Sequence, residues 1–227
     1  MEYGAAMAEV RSTLERRPLA APRPRVLDAG CGTEINIPLP PDAYLVGIDI
    51  SAEATTRNER LDERIVADLE RVELAPDSFD LIVCWDVLEH LRRPERALER
   101  LAAALAPGGT FVVGVPNVNS AKGLATKFTP YAFHRWIYRR ASSSTSAPFR
   151  TYLRTKIAPA GLLRWAGESG FQLERMVMYE APIQASLRRR LRLTGRRWSA
   201  VGATVRAVSL GSVATEDTDL VAIFTRP

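Results

Sequence analysis

The stretch Val26-Leu27-Asp28-Ala29-Gly30-Cys31-Gly32-Thr33 decides the fold of this chain. It starts as a short apolar strand, reaches an acidic residue and continues into a Gly-x-Gly turn. Such a turn lets the backbone bend sharply and come close to a ligand. The stretch therefore predicts a ligand site at the carboxyl end of a strand, although a glycine-rich turn alone also occurs in loops without a ligand.

Strand patterns and helix patterns alternate around this stretch. A helix is predicted at about 5–17 and another after Ser51, which is suited to an N-cap, through about Leu61. Pro94 is suited to the first turn of a third helix. Predicted strands cover about 25–29, 44–50, 64–67, 79–85, 110–115, 171–179 and 219–225. This alternation predicts a mostly parallel sheet with helices on its faces.

The composition is that of one globular α/β domain over residues 1–227, with 46% hydrophobic and 25% charged residues. We expect a core at 25–115 and 159–227, a lid insertion at about 116–158 and a basic insertion at about 181–218. No apolar run is long enough for a membrane span, and two cysteines without metal-ligand spacing favour a cytoplasmic protein without a metal. The net charge of +5 allows attraction to anions.

Further acidic residues follow the other predicted strands. Asp49 ends the next strand, 21 residues after Asp28, where a carboxylate can accept both hydroxyls of a ribose. Asp68-Leu69 follows the third strand, where the acid can accept from an adenine amine and the leucine can pack on the ring. Cys84-Trp85-Asp86 ends the fourth strand. Together these elements predict one nucleoside-shaped cleft.

With these residues the sequence resembles the class I S-adenosylmethionine-dependent methyltransferases of the small-molecule type. The resemblance implies a Rossmann-like three-layer α/β/α sandwich whose seven-stranded, mostly parallel sheet has an antiparallel last strand. It implies S-adenosyl-L-methionine as cofactor and S-adenosyl-L-homocysteine as product. It assigns Asp28, Gly30 and Gly32 to the methionine side, Asp49 to the ribose, Asp68 and Leu69 to adenine, and Cys84, Trp85 and Asp86 to the region near the sulfonium. Cys31 and Ile50 are further predicted cofactor-binding residues.

Two features depart from the family pattern. Glu34 replaces the usual third glycine, and Pro38, Pro40 and Pro41 occupy the place of the first full helix. Because proline breaks a helix interior, we expect a shortened loop there. A dinucleotide cofactor is disfavoured, since Glu34 would face phosphate. A cofactor-binding but catalytically silent regulatory or partner protein stays open as an alternative.

Candidates for catalysis and acceptor binding are fewer. His90 and His134 are the only histidines and the side chains best matched to proton removal near neutral pH, although helix capping and packing explain them as well. Asn117, Arg150 and Tyr152 are candidates for binding the acceptor, with turn formation and a solvated face as the competing interpretations. The predicted reaction is methyl transfer to an oxygen or nitrogen of a small molecule.

The segment 186–198 is strongly basic, with six arginines and Leu187, Leu191 and Trp198 between them. It predicts a basic amphipathic helix that could contact an anionic membrane or a phosphorylated acceptor. The pattern favours a solvated helix on the flank of the domain over either contact. RNA modification ranks third, because no nucleic-acid motif accompanies the charge.

Overall fold

The computed structural model describes residues 1–17, 19, 21–35, 37–120, 151–152, 154–210 and 212–227. Most of the predicted lid insertion lies outside the described residues, and so do His134 and Arg150. The division into one domain with two insertions stays a prediction.

A seven-stranded sheet forms the centre of the molecule. Its strands are β1 Arg25–Ala29, β2 Tyr44–Asp49, β3 Glu63–Val66, β4 Phe79–Trp85, β5 Leu105–Pro116, β6 Gln172–Tyr179 and β7 Asp219–Thr225. They pair in the order β3-β2-β1-β4-β5-β7-β6, and β7 runs antiparallel to both of its neighbours. The predicted sheet, including its antiparallel last strand, is confirmed.

Helices cover both faces of the sheet. They are α1 Tyr3–Glu15, α2 Ala52–Arg57, α3 Pro94–Ala104, α4 Pro159–Glu168, α5 Pro182–Arg190 and α6 Gly195–Val208. Apolar residues of α3 and α4, among them Leu98 and Leu162, are buried in one core, and Ala6 and Val10 of α1 are buried in a second core. Successive strand residues point to opposite faces, so the sheet separates the two cores.

The third helix shows how the sequence fixes this packing. Pro94 occupies its first turn, and Ala97, Leu98 and Leu101 are buried at the spacing of one helix face. The helix ends at Ala104, and the chain passes directly into β5. The face predicted from the sequence is thus the one that covers the sheet.

Two segments in the first part of the chain contain less helix than a regular fold of this kind would have. The helix after Ser51 ends at Arg57 rather than at Leu61, because Asn58 is buried and donates from Nδ2 to the carbonyl of Cys31 at 3.3 Å. The proline-rich segment 31–43 forms no helix in its described residues, as predicted. Ile37 from this loop is instead buried in the α1-side core.

The basic segment 186–198 is not one helix, and that prediction is wrong. It is divided between α5 and α6, because Arg192 adopts a left-handed conformation with φ of +54°. The Leu193 N–H donates to the Arg188 carbonyl at 3.0 Å and closes the end of α5. Within the described ranges, no helix combines the length and the apolar character needed to cross a bilayer.

Candidate active site

The turn after β1 is held against the end of β2. The N–H groups of Gly30 and Cys31 both donate to the Ile48 carbonyl, at 2.7 and 3.0 Å. Gly30 has φ of +83°, and a Cβ added there would lie 2.1 Å from Cγ2 of Val87. The turn therefore needs glycine at this position for both its conformation and its space.

The Asp49 carboxylate at the end of β2 is oriented by two backbone groups. Its Oδ2 accepts from the Gly32 N–H at 3.0 Å, and its Oδ1 accepts from the Ser51 N–H at 2.8 Å. Ser51 in turn caps α2, since its Oγ accepts from the Ala54 N–H at 3.2 Å. Each carboxylate oxygen keeps a second lone pair, so the group can still accept a pair of hydroxyls.

Asp28 lies beside this carboxylate and is only 4% exposed. Its Oδ2 is buried without a hydrogen-bond partner among the described residues. Burial, with the nearby charge of Asp49, raises the pKa of Asp28 to about 7. A buried polar atom without a partner costs free energy, so a ligand that brings a hydrogen-bond donor or a positive charge fits this position.

Further acids surround the same edge of the sheet. Burial raises the pKa of the Cys84 thiol, and the charges of Glu89, Asp28 and Asp86 raise it further. Burial likewise raises the pKa of Tyr179, with Asp219 as the largest charge effect. The edge therefore carries a negative potential that favours a cation such as a sulfonium.

Glu89 and Asp219 belong to this edge and were missed from the sequence. Both are buried, and Asp219 Oδ2 accepts from the Thr218 hydroxyl at 2.6 Å. The available signal was their position, since Glu89 closely follows β4 and Asp219 begins the antiparallel β7, which places both at the carboxyl ends of the parallel strands. A carboxylate within a few residues of a strand end is therefore the sequence signal that would have identified both residues.

The predicted adenine-side residues lie next to Asp49. The Ala67 N–H donates to the Asp49 carbonyl at 3.0 Å, so Asp68 follows at the same edge, and its Oδ1 accepts from the Glu70 N–H at 2.9 Å. Leu69 is buried in the α3-side core, whereas Ile50 is 67% exposed. Ile50 therefore exposes more apolar surface than Leu69 does.

The three predicted residues at the end of β4 differ in the exposure of their side chains. Cys84 and Trp85 are buried in opposite cores, so their side chains are covered by protein. Asp86 is exposed, and its N–H donates to the Gly114 carbonyl at 3.0 Å. Of the three predicted cofactor contacts, only Asp86 presents its side chain to the edge, and the other two can contribute backbone.

His90 ends a short 3₁₀ turn over Leu88–His90. Its Nε2 is 3.9 Å from Glu89 Oε1, and its side chain is 28% exposed. The Glu89 carbonyl accepts from the Tyr152 N–H at 2.7 Å, which ties the predicted acceptor residue Tyr152 to this turn. The structure therefore brings His90 and Tyr152 to the same region beside the end of β4.

Asn117 is engaged with its own protein chain. Its Nδ2 donates to the Asp217 carbonyl at 2.8 Å, and its Oδ1 accepts from the Asn119 N–H at 3.0 Å. Its N–H also donates to the Thr218 carbonyl at 2.9 Å. These bonds join the end of β5 to the chain before β7, so the geometry agrees with the turn-forming interpretation, and its role toward an acceptor stays a prediction.

Comparison with known proteins shows the family of this chain. The model of the family described as "Methyltransferase domain" matches residues 3–175, which is most of the chain. The chain belongs to this methyltransferase family. Across the described ranges, no three His, Cys, Asp or Glu side chains group in a way that could hold a metal ion.

Curated relatives include a named methyltransferase and an uncharacterised protein. A ubiquinone biosynthesis O-methyltransferase of Xanthomonas euvesicatoria is 28% identical over 187 residues, covering 76% of this chain and 71% of that protein. An uncharacterised Synechococcus protein is 44% identical over 100 residues, and the match spans only 24% of its length and 38% of this chain.

A solved structure supports the fold. The S-adenosylmethionine-dependent methyltransferase of Mesorhizobium loti has a TM-score of 0.54 and 20% identity, covering 96% of this chain and 98% of that chain. This methyltransferase domain therefore has the sheet and helix arrangement of that enzyme class.

Proposed function

We propose that this methyltransferase binds S-adenosyl-L-methionine at the carboxyl edge of β1, β2 and β4 and methylates an oxygen or nitrogen of a small molecule. The observation that carries the proposal is the buried Asp28 Oδ2, which has no hydrogen-bond partner in the described chain and lies in an acidic environment. The cofactor brings a methyl group already activated by a positively charged sulfur, and positive charge is what this edge is built to accept.

Different residues at this edge bind different parts of the cofactor. The pre-oriented Asp49 carboxylate accepts from the ribose, and the Gly30–Gly32 turn lets the backbone approach the methionine portion. Asp68 and the exposed Ile50 stand at the adenine side. The exposed Asp86 and the buried Asp28 offset the positive charge.

Transfer to an oxygen is the reaction type we favour. The support comes from the names of the ubiquinone biosynthesis O-methyltransferases, at 28% identity for the Xanthomonas euvesicatoria enzyme. A hydroxyl acceptor must lose a proton, and His90 is the imidazole nearest to the end of β4 among the described residues. We therefore assign proton removal to His90.

Calorimetry with S-adenosyl-L-homocysteine tests the cofactor site. Asp49→Asn and Asp28→Asn each weaken binding at least about tenfold, because each removes a carboxylate that the bound nucleoside needs. The exposed loop residue Asp42 supplies the control variant Asp42→Asn, which leaves affinity unchanged. If wild type fails to bind S-adenosyl-L-homocysteine at millimolar concentration, the proposal fails.

Turnover separates an enzyme from a silent binder or an RNA-modifying protein. We expect methylation of hydroxyl compounds in a small-molecule panel, with no salt-sensitive affinity for RNA. His90→Gln lowers kcat and removes the acidic limb of the pH profile while leaving product affinity intact. Tight product binding with no turnover on any acceptor supports the silent-binder alternative instead.

The α5–α6 insertion supports a second part of the proposal, contact with an anionic bilayer. Ile183, Leu187 and Leu191 recur every four residues and are all exposed. Arg189, Arg190, Arg192, Arg196 and Arg197 are exposed around them. Apolar side chains surrounded by arginines complement an anionic lipid surface, where both interactions add.

Vesicle sedimentation tests this contact. We expect co-sedimentation with vesicles of phosphatidylcholine and phosphatidylglycerol, and none with phosphatidylcholine alone. Combining Arg189→Gln with Arg192→Gln, or Leu187→Ser with Leu191→Ser, weakens it, whereas Arg164→Gln on α4 leaves it unchanged. Equal sedimentation of all variants would refute the contact.

The two cysteines are buried and free of disulfides, which supports a cytoplasmic location.

A further inference from the structure

Glu70 lies in the loop that follows β3, two residues after the predicted adenine-side residue Asp68. Its side chain is only 13% exposed, whereas Glu73, three residues further along the same loop, is exposed. A carboxylate that is largely removed from water needs hydrogen-bond donors to offset the lost hydration. The partners of Glu70 therefore indicate the role of this side chain.

The Glu70 carboxylate binds the backbone that leads into α3. Its Oε1 accepts from the N–H groups of Arg92 and Arg93, at 2.7 and 3.1 Å, and its Oε2 is 3.7 Å from Arg93 Nε. Pro94 is the first residue of α3, and Arg93 before it makes no capping bond with its own side chain. Glu70 thus supplies, from another part of the chain, an acceptor at the start of this helix, where its negative charge is also favourable.

The same stretch of backbone carries the proposed base. His90 is two residues before Arg92. The N–H groups of His90 and Leu91 donate to carbonyls three residues earlier in the chain, at 2.9 and 3.2 Å. These bonds close the turn, and the Glu70 carboxylate holds the residue that follows it. The backbone position of His90 is therefore restrained by Glu70.

The backbone of Glu70 is bonded to the adenine side of the predicted site. Its N–H donates to Asp68 Oδ1 at 2.9 Å, and the N–H groups of Arg71 and Val72 both donate to the Asp68 carbonyl at 2.8 Å. From α3, Arg100 donates to the Glu70 carbonyl from Nε at 3.2 Å and to the Val72 carbonyl from Nη1 at 2.9 Å. The N–H, the carbonyl and the carboxylate of Glu70 are thus all engaged, and they fasten the loop to both ends of this contact.

We infer that Glu70 is a positioning residue, through which a nucleoside bound at Asp68 restrains the turn that carries His90. The inference rests on the proposed function and adds to it a coupling between the adenine side and proton removal. A nucleoside that bonds to Asp68 lowers the freedom of the loop after β3. The hydrogen bonds of Glu70 transmit this restraint to the turn, because they join the Asp68 carboxylate to the backbone after His90.

Amide hydrogen exchange, followed residue by residue by NMR, tests the coupling with S-adenosyl-L-homocysteine as the probe. The readout is the exchange of the His90 and Leu91 N–H groups, because neither bonds to Glu70. In wild type, saturating probe slows their exchange at least about tenfold. Glu70→Ala and the shorter Glu70→Asp reduce this slowing to less than about threefold. Glu70→Gln keeps it, since the amide oxygen still accepts from both N–H groups.

The measured quantity is the ratio of the exchange rates in the free and bound forms of each variant. A contact that only stabilises the turn changes both rates alike and leaves this ratio as in wild type, whereas coupling changes the ratio. Glu73→Ala, in the same loop, is the matched control and keeps the wild-type ratio. Calorimetry on each variant sets the saturating concentration of the probe.

Three results overturn the inference: no slowing in wild type, a wild-type ratio in Glu70→Ala, or an equal loss in Glu70→Ala and Glu73→Ala. Should Glu70→Ala fail to fold, the pair Glu70→Asp and Glu70→Gln decides, and equal ratios in these two variants overturn the inference. Absence of S-adenosyl-L-homocysteine binding to wild type in the calorimeter refutes the proposed function itself. A failed cofactor site is thereby distinguished from a failed coupling.

Discussion

The two halves of the sheet's carboxyl edge are built in different ways. On the β1–β2 side, a short stretch from Asp28 to Ser51 supplies the turn, the carboxylates and the cap, and backbone N–H groups orient the Asp49 carboxylate. On the β5–β7 side, residues far apart in the chain, from Asn117 to Arg206, form one cavity. The β1–β2 half is thus encoded locally, and the β5–β7 half depends on long-range packing.

The largest effect should come from Gly30→Ala on the cofactor side. The added Cβ meets Val87 and the backbone stays at positive φ, so we expect a loss of about 3 kcal/mol in the free energy of unfolding. Urea denaturation measures it, and Val87→Ala in the same chain restores part of the loss. Gly167→Ala is the control, because a Cβ there meets nothing within 4 Å. Equal stability of the Gly30 and Gly167 variants would contradict the tight turn.

The buried Asp28 predicts a pH dependence of stability. Its pKa rises from 3.8 to about 7 on folding, so its contribution to stability is full at low pH and is lost as pH rises through 7. Between about pH 5 and pH 8 this amounts to about 2–3 kcal/mol. The pH dependence of urea denaturation should therefore flatten by this amount in Asp28→Asn and stay as in wild type in Asp42→Asn. Parallel profiles for all three proteins would show that Asp28 titrates normally.

A smaller and local effect is expected on the other half of the molecule. Arg188 donates to both oxygens of Glu180 at 2.8 Å and lies 5.2 Å from the centre of the Trp198 ring, which joins α5 to α6. Arg188→Ala should speed hydrogen exchange of residues 182–208 about tenfold while β1 and β4 keep their protection. The exposed neighbour supplies the control Arg189→Ala, which should exchange like wild type. Unchanged protection in Arg188→Ala would mean that other contacts hold the two helices.

The smallest effect is expected at the cap of α2. Ser51→Ala removes the side-chain acceptor but keeps the N–H that orients Asp49, so stability falls by about 1 kcal/mol. Affinity for S-adenosyl-L-homocysteine should change less than about threefold, since the carboxylate keeps its backbone donors. Thr204→Ala on the exposed face of α6 is the stability control. A large loss of affinity would show that the hydroxyl itself contributes to the cofactor site.

Prediction from sequence succeeded where the signal is short-range. The bounds of β1, β4 and β7 agree with the pattern of apolar residues, and Ser51 caps its helix as expected. The end of α2 was wrong because the buried Asn58 bonds to Cys31, a contact between residues 27 positions apart. The basic segment was expected as one helix because its composition does not reveal that Arg192 turns left-handed.

For the candidate site, too, prediction from sequence succeeded where the signal is short-range. The carboxylates Asp28 and Asp49 could be found from strand ends, and the structure brings them close enough for the charge of Asp49 to raise the pKa of Asp28. Leu69, Cys84 and Trp85 have side chains buried in the cores, which for Cys84 and Trp85 follows from the alternation of residues along β4. Their contact with the cofactor stays a prediction. The cavity at Arg206 had no sequence signal, because its walls meet only after β7 has joined β5 and β6.

The position of β7 has a consequence for biosynthesis. This strand is the last of the seven along the chain, yet it pairs with β5 on one side and β6 on the other, and all seven of its residues are buried. While a ribosome is still making residues 219–225, β5 and β6 are both open edges that other chains can join. The sheet therefore closes only after translation has passed this strand, and until then the unpaired edges expose the nascent chain to aggregation.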